Sequence, residues 1–125
     1  MNSKEYYRNY HADDSIIELN EDLVDLVMDE KPNHVLEFGC GTGKHLNIIQ
    51  HEDNVPCTGL DISFKNTATA TLKHNINCVI TGDETHLRHL CNYDVVFTCS
   101  VLDHVPEEMF IPIVNELKRI ANKCV

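Results

Sequence analysis

The stretch Val35-Leu36-Glu37-Phe38-Gly39-Cys40-Gly41-Thr42-Gly43 constrains this chain more than any other. An apolar run ends, three alternating glycines follow, and Leu46, Ile48 and Ile49 then recur at helical spacing. Strand, glycine turn and helix in that order open a parallel α/β unit. Glycines tolerate positive φ and carry no Cβ, so the backbone there can run against a bound ligand. In a doubly wound sheet such a turn faces the crevice at the carboxyl ends of the strands. The spacing is G-x-G-x-G, not the G-x-G-x-x-G of dinucleotide sites. A glycine turn also serves as a plain tight connection, so its function depends on its surroundings.

The rest of the chain keeps the same alternation. Ile16, Leu19, Leu23, Leu26 and Val27 predict an amphipathic helix over about 15–30, ended before Pro32. His34 to Phe38 reads as the first strand. Further strands are predicted over about 57–62, 78–81 and 93–99, with a Thr/Ala-rich helix reaching about His74 and a helical turn over about 84–90. Pro106 and Pro112 each suit a first helical turn, which predicts a short turn and then a helix over about 112–122. The fold class is therefore α/β, a doubly wound, mostly parallel sheet of about four strands and the following helix. A fifth strand would only begin at Cys124-Val125. Residues 1–14 form an N-terminal segment and candidate lid, and 15–125 a single domain. For a chain of 125 residues one domain with a real core is the natural solution.

Charge narrows the partners. Ten Lys and Arg stand against twenty Asp and Glu, a formal charge of −10. Phosphate backbones are bound by Lys and Arg displacing counterions, so this balance argues against nucleic acid. Eight acids lie between Asp13 and Glu30, as a solvated helix face or a docking surface for a basic partner. No apolar run approaches the roughly 20 residues needed to span a bilayer. The charged N-terminus leads into no apolar stretch of a secretory signal. None of the six cysteines forms a C-x-x-C pair, and His86, His89 and Cys91 lack a fourth zinc ligand. Reduced thiols and a cytoplasmic location are the expectation.

Three acids give the glycine turn a meaning. Glu37 closes the first strand, Asp61 closes the second 18 residues past Gly43, and Asp83 follows the third. A carboxylate at the second strand's end can accept both hydroxyls of a ribose. Three carboxylates at successive strand ends would repel a polyphosphate but suit a nucleoside carrying an amino group and a positive sulfur.

At this point the sequence resembles the class I S-adenosylmethionine (SAM) dependent methyltransferases. The matching residues are VLEFGCGTG (35–43), GLDIS (59–63), TGDETHL (81–87) and YDVVFTCSVLDHVPEE (93–108), so the likeness runs over about 30–125. The pattern of Ser100, Leu102 and His104 is similar to the small-molecule branch. The resemblance implies a Rossmann-like fold with strand order 3-2-1-4-5-7-6 and SAM as cofactor. By position, Gly39, Cys40, Gly41 and Gly43 would shape the methionine end of the pocket. Glu37 would hold the SAM ammonium, directly or through water. Asp61 would bind the ribose, with Ile62 beside the adenine and Asp83 and Glu84 at its edge. Cys99 and Ser100 would floor the site, next to the methyl group. Tyr6, Tyr7 and Tyr10 resemble the aromatic segment that covers SAM in many relatives. His104 is the candidate general base, or orders the loop after strand four.

Departures from the family narrow the acceptor. Nucleic-acid amino-methylating enzymes carry Asn/Asp-Pro-Pro-aromatic after strand four, where this chain has Thr98-Cys99-Ser100-Val101. Cytosine-C5 enzymes use a Pro-Cys there, and the only Pro-Cys here is Pro56-Cys57. A small-molecule substrate or an exposed side chain is the expected acceptor. The alternatives are a SAM-binding module without methyl transfer and a SAM-degrading enzyme. Four strands leave the outer edge of strand four open, which predicts a homodimer through that edge and the last helix, the rival being a bulge or tail residue that caps the edge locally.

Overall fold

The structure, a computed structural model, describes residues 3–10 and 19–125. Its strands are β1 (Val35–Phe38), β2 (Cys57–Asp61), β3 (Cys78–Thr81), β4 (Tyr93–Thr98) and β5 (Ala121–Cys124). Its α-helices are α1 (Ser3–Asn9), α2 (Glu21–Asp29), α3 (Lys44–His51), α4 (Phe64–Leu72) and α5 (Glu107–Ile120), with 3₁₀ turns at Glu84–His89 and Leu102–His104. The five strands form one parallel sheet in the order β3-β2-β1-β4-β5. Chain direction across the sheet reverses between β1 and β4, and that switch point opens the ligand crevice of such sheets.

Alternation along β1 divides the core. Val35 faces the side covered by α2, α3 and α4, packing with Val27, Leu46, Ile49, Ala70 and Phe97. Leu36 and Phe38 face the side covered by α5 and the Glu84–His89 turn, with Leu60, Leu87, Val96 and Leu117. Successive strand residues point to opposite faces, so Glu37 stands on the α3 side of the sheet, fully buried.

Three expectations change. Helix α2 begins only at Glu21, because Asn20 caps it by accepting the Leu23 N–H at 3.0 Å, and Leu19 lies ahead of it; Ile16 and the rest of 15–18 lie outside the described residues. Helix α5 is continuous from Glu107, with Pro106 at its cap and Pro112 inside it on an exposed face. The third change removes a surface. Residues 121–124 form a fifth strand on β4, pairing Tyr93 with Ala121 and Val95 with Lys123, and Val125 continues the ladder by donating its N–H to Val96 O at 2.9 Å. The β4 edge is closed by the chain itself. Ile113, Leu117 and Ile120 of α5 are buried against the sheet. The β4 edge and the Ile113, Leu117 and Ile120 face on which the expected dimer rested are thus taken up within the chain.

Candidate functional site

Beyond the carboxyl ends of the strands lies a cavity of about 700 Å³, within the range of about 300–1,000 Å³ common for ligand sites. The glycine turn forms its floor. Gly39, Gly41 and Gly43 all have positive φ, but each for its own reason. A Cβ on Gly39 would meet Val101 Cγ2 at 2.3 Å, so this glycine lets the segment after β4 close against the turn. A Cβ on Gly43 would press on Ala70 and Ile76, which makes it a packing position at the buried start of α3. A Cβ on Gly41 would meet nothing within 4 Å; that glycine lines the open space of the cavity. Cys40 turns away, its buried thiol against Gly59 and its pKa pushed well up by burial. Neither Cys40 nor Gly43 lines the cavity.

Asp61 ties this turn to β2. Its Oδ2 accepts the Gly41 N–H at 2.9 Å, its Oδ1 accepts the Ser63 N–H at 2.8 Å, and the Asn66 side chain donates to it as well. Burial raises its pKa, and these three donors oppose the rise. A carboxylate offers about four acceptor sites, so roughly one is left for a ligand hydroxyl instead of the two expected. Ile62 lines the cavity beside it.

Glu37 lies one layer back. Its Oε2 is 3.0 Å from His45 Nδ1, while its Oε1 is buried with no partner among the described residues. The Asn20 N–H donates to His45 Nε2 at 3.1 Å, so Nε2 carries the lone pair and Nδ1 the proton that Glu37 accepts. Burial pushes the Glu37 carboxyl above its ordinary value, and the His45 hydrogen bond works against that rise. Burial alone would lower the His45 pKa, but the bond to Glu37 outweighs it.

The N-terminal segment crosses the cavity as α1. Tyr6, Tyr7 and Tyr10 all line it, with Tyr6 51% and Tyr10 41% exposed on the outer side. Ser63 caps α4 by accepting the Asn66 N–H at 3.2 Å and also donates its hydroxyl to the Tyr10 carbonyl. Ser63→Ala is expected to lower stability by about 0.5–2 kcal/mol, read as a lower midpoint of thermal unfolding. At the other end Lys4 Nζ bonds Asp83 Oδ2 at 3.1 Å and Glu84 Oε1, and Arg8 reaches Asp83 at 3.6 Å. Burial works against ionisation of Asp83, but the Thr85 hydroxyl and N–H, with Lys4, hold its pKa down at about 2. Both acids expected at an adenine edge are thus engaged by α1.

The segment after β4 forms the opposite wall. Cys99, Ser100, Val101, His104 and Met109 line it, and Ser100 holds a positive φ of 58° that only a constrained loop imposes on a non-glycine residue. The His104 ring stacks on Tyr7 with centroids 5.3 Å apart, and its Nε2 is 3.9 Å from Asp103. Of the residues singled out in the sequence, the cavity gathers Tyr6, Tyr7, Tyr10, Gly39, Gly41, Asp61, Ile62, Asp83, Glu84, Cys99, Ser100 and His104; Glu37 stands behind it. Lys4 and His45 were missed. The only trace of Lys4 is its i,i+4 spacing to Arg8 beside the tyrosines, and His45 left none.

The family model described as "Methyltransferase domain" matches residues 35–123. The chain belongs to this methyltransferase family. Magnesium protoporphyrin IX methyltransferase from Synechocystis, solved with bound SAM, shares 25% identity at a TM-score of 0.68. The match covers 82% of this methyltransferase chain and 52% of that one. The plantazolicin methyltransferase solved with a substrate analogue and the demethylated cofactor SAH shares the fold at a TM-score of 0.69 and 22% identity, over 81% of this chain and 41% of that one. The chain therefore spans about half the length, or less, of these solved relatives. No curated protein sequence matches it significantly. SAM is the cofactor of this class I fold. The site here fits it: space over Gly41, carboxylates at the β2 and β3 ends, and a buried carboxylate oxygen with no donor among the described residues. No helix among the described residues is long and apolar enough to cross a membrane.

Proposed function

We propose that this chain is a SAM-dependent methyltransferase acting on a small molecule or an exposed side chain, with SAM seated over the glycine turn. The observation that carries the reading is a single cavity with two unlike sides. Asp61, Asp83 and Glu84 make one side polar, at the β2 and β3 ends, with Lys4 paired to Asp83 and Glu84 there. Val101, Val105, Met109 and Ile113 make the other apolar, on the segment after β4. One side suits the ribose and base of a nucleoside and the other an acceptor.

When bound, the cofactor supplies a methyl group on a positive sulfur that leaves as a neutral thioether. The chain then has to bind, orient and keep water away. Asp61 takes a ribose hydroxyl on its remaining acceptor site, and Ile62 packs beside the base. Asp83 and Glu84 border that base while Lys4 pins α1 to them. Tyr6 and Tyr10 shield the cofactor from solvent. His104, between Tyr7 and the apolar wall, takes a proton from the acceptor at Nδ1, the nitrogen away from Asp103.

Calorimetry with SAM and with SAH tests the cofactor. Asp61→Ala removes charged hydrogen bonds and is expected to lower affinity about 10–150-fold. A folded wild-type protein giving neither heat nor a thermal shift would end the assignment. One observation favours a second reading, a SAM-binding module without methyl transfer of its own: the His104 side chain is 51% exposed and no carboxylate holds it within hydrogen-bond distance. Incubation with methyl-labelled SAM and cell extract separates the readings. Label moving to an acceptor supports the enzyme, and label staying on intact SAM supports the module. Label released in fragments of SAM supports a SAM-degrading enzyme.

A further inference from the structure

We propose that His45 is a positioning residue for the cofactor's amino-acid end and acts through Glu37. The proposal rests on the SAM reading above and deepens it. Glu37 occupies a sheet position otherwise filled by apolar residues, and only 2% of it is exposed. One of its oxygens is anchored on His45 Nδ1 and the other has no donor among the described residues. Buried polar atoms are almost always satisfied, so a free carboxylate oxygen behind a ligand cavity calls for a donor, and one that comes with the ligand can reach it directly or through a water. The ammonium at the amino-acid end of SAM is such a donor, and it carries the complementary charge.

The imidazole fixes which oxygen remains free. A carboxylate held at one oxygen cannot rotate, so the second keeps one direction. The bond also favours the ionised carboxylate against its burial. The ring is held in turn. Its Nε2 accepts the Asn20 N–H at 3.1 Å, Asn20 caps α2, and the edge of the ring meets Phe97 with centroids 6.2 Å apart. The orientation of Glu37 is therefore set jointly by α3, which carries His45, and by the start of α2.

The test compares two ligands on purified protein. SAH carries the amino-acid end, whereas 5′-methylthioadenosine keeps the nucleoside and thioether without it. His45→Phe is expected to weaken SAH about tenfold and to leave methylthioadenosine unchanged, which also shows that the site is folded. His45→Asn, whose amide N–H can replace Nδ1–H, is expected to restore most of the SAH affinity. In a Glu37→Gln background His45→Phe is expected to add no further loss, because the two residues act as one unit. Equal weakening of both ligands, or an undiminished loss in the Glu37→Gln background, would overturn the proposal while leaving the cofactor reading intact. A wild-type protein that binds neither ligand would remove both.

Discussion

Leu117→Asp is expected to unfold this chain. Leu117 is 1% exposed and packs with Leu36, Leu87 and Val96 between α5 and the sheet. Removing a buried leucine side chain costs about 2–5 kcal/mol through lost transfer energy and the space left behind. The carboxylate adds a desolvation penalty of about 1–3 kcal/mol or more, since the neighbours Leu36, Leu87 and Val96 offer it no side-chain donor. A domain has only about 5–15 kcal/mol in total. From the sequence alone the same substitution should separate two folded copies, because Leu117 would sit in a dimer interface. Circular dichroism and light scattering on one sample distinguish the outcomes. Lost helix signal and no cooperative unfolding are expected; a folded monomeric variant would return Leu117 to the surface.

That reversal turns on β5, and it shows which signals a sequence carries. β1, β2 and β4 are legible because strands buried on both faces of a parallel sheet are nearly continuous apolar runs. Ala121-Asn122-Lys123-Cys124 has no such run. Its side chains are mostly exposed, and what holds it is backbone pairing along β4. No hydrophobic pattern announces a strand held in that way. Pro112 misled for a related reason. Proline forbids only one hydrogen bond of a helix, and on the exposed face of α5 the freed Glu108 carbonyl can turn to water.

The site divides along the same line. Glu37, Asp61 and Asp83 could be read because acids at strand ends stand out against apolar runs. Their partners could not. Lys4 meets Asp83 across 79 positions, and His45 meets Glu37 only because α3 lies on the face of the sheet toward which residue 37 alternates. Cys40 and Gly43 erred the other way. The motif places them in the turn, but the turn alternates its faces, and both serve packing beneath the cavity.

His104→Ala is expected to slow methyl transfer about 10²–10⁴-fold, the usual contribution of a positioned acid or base. SAH affinity should stay at the wild-type value, because His104 stands on the wall after β4, across the cavity from Asp61 and Asp83. Its only ring neighbour among the described residues is Tyr7 of α1, which borders the cavity beside it. A role confined to ordering the loop predicts something else. Ser100 and Val101 would then shift, Val101 lies where a Cβ on Gly39 would stand, and a disturbed glycine turn would weaken cofactor binding as well as rate. Calorimetry with SAH and turnover with labelled SAM, measured on the same variant, separate the two. A fall in rate alone makes His104 the base. A parallel fall in both makes it a brace for the turn. Wild-type values for both would remove His104 from the mechanism and leave a methyl transfer that needs no base from this wall.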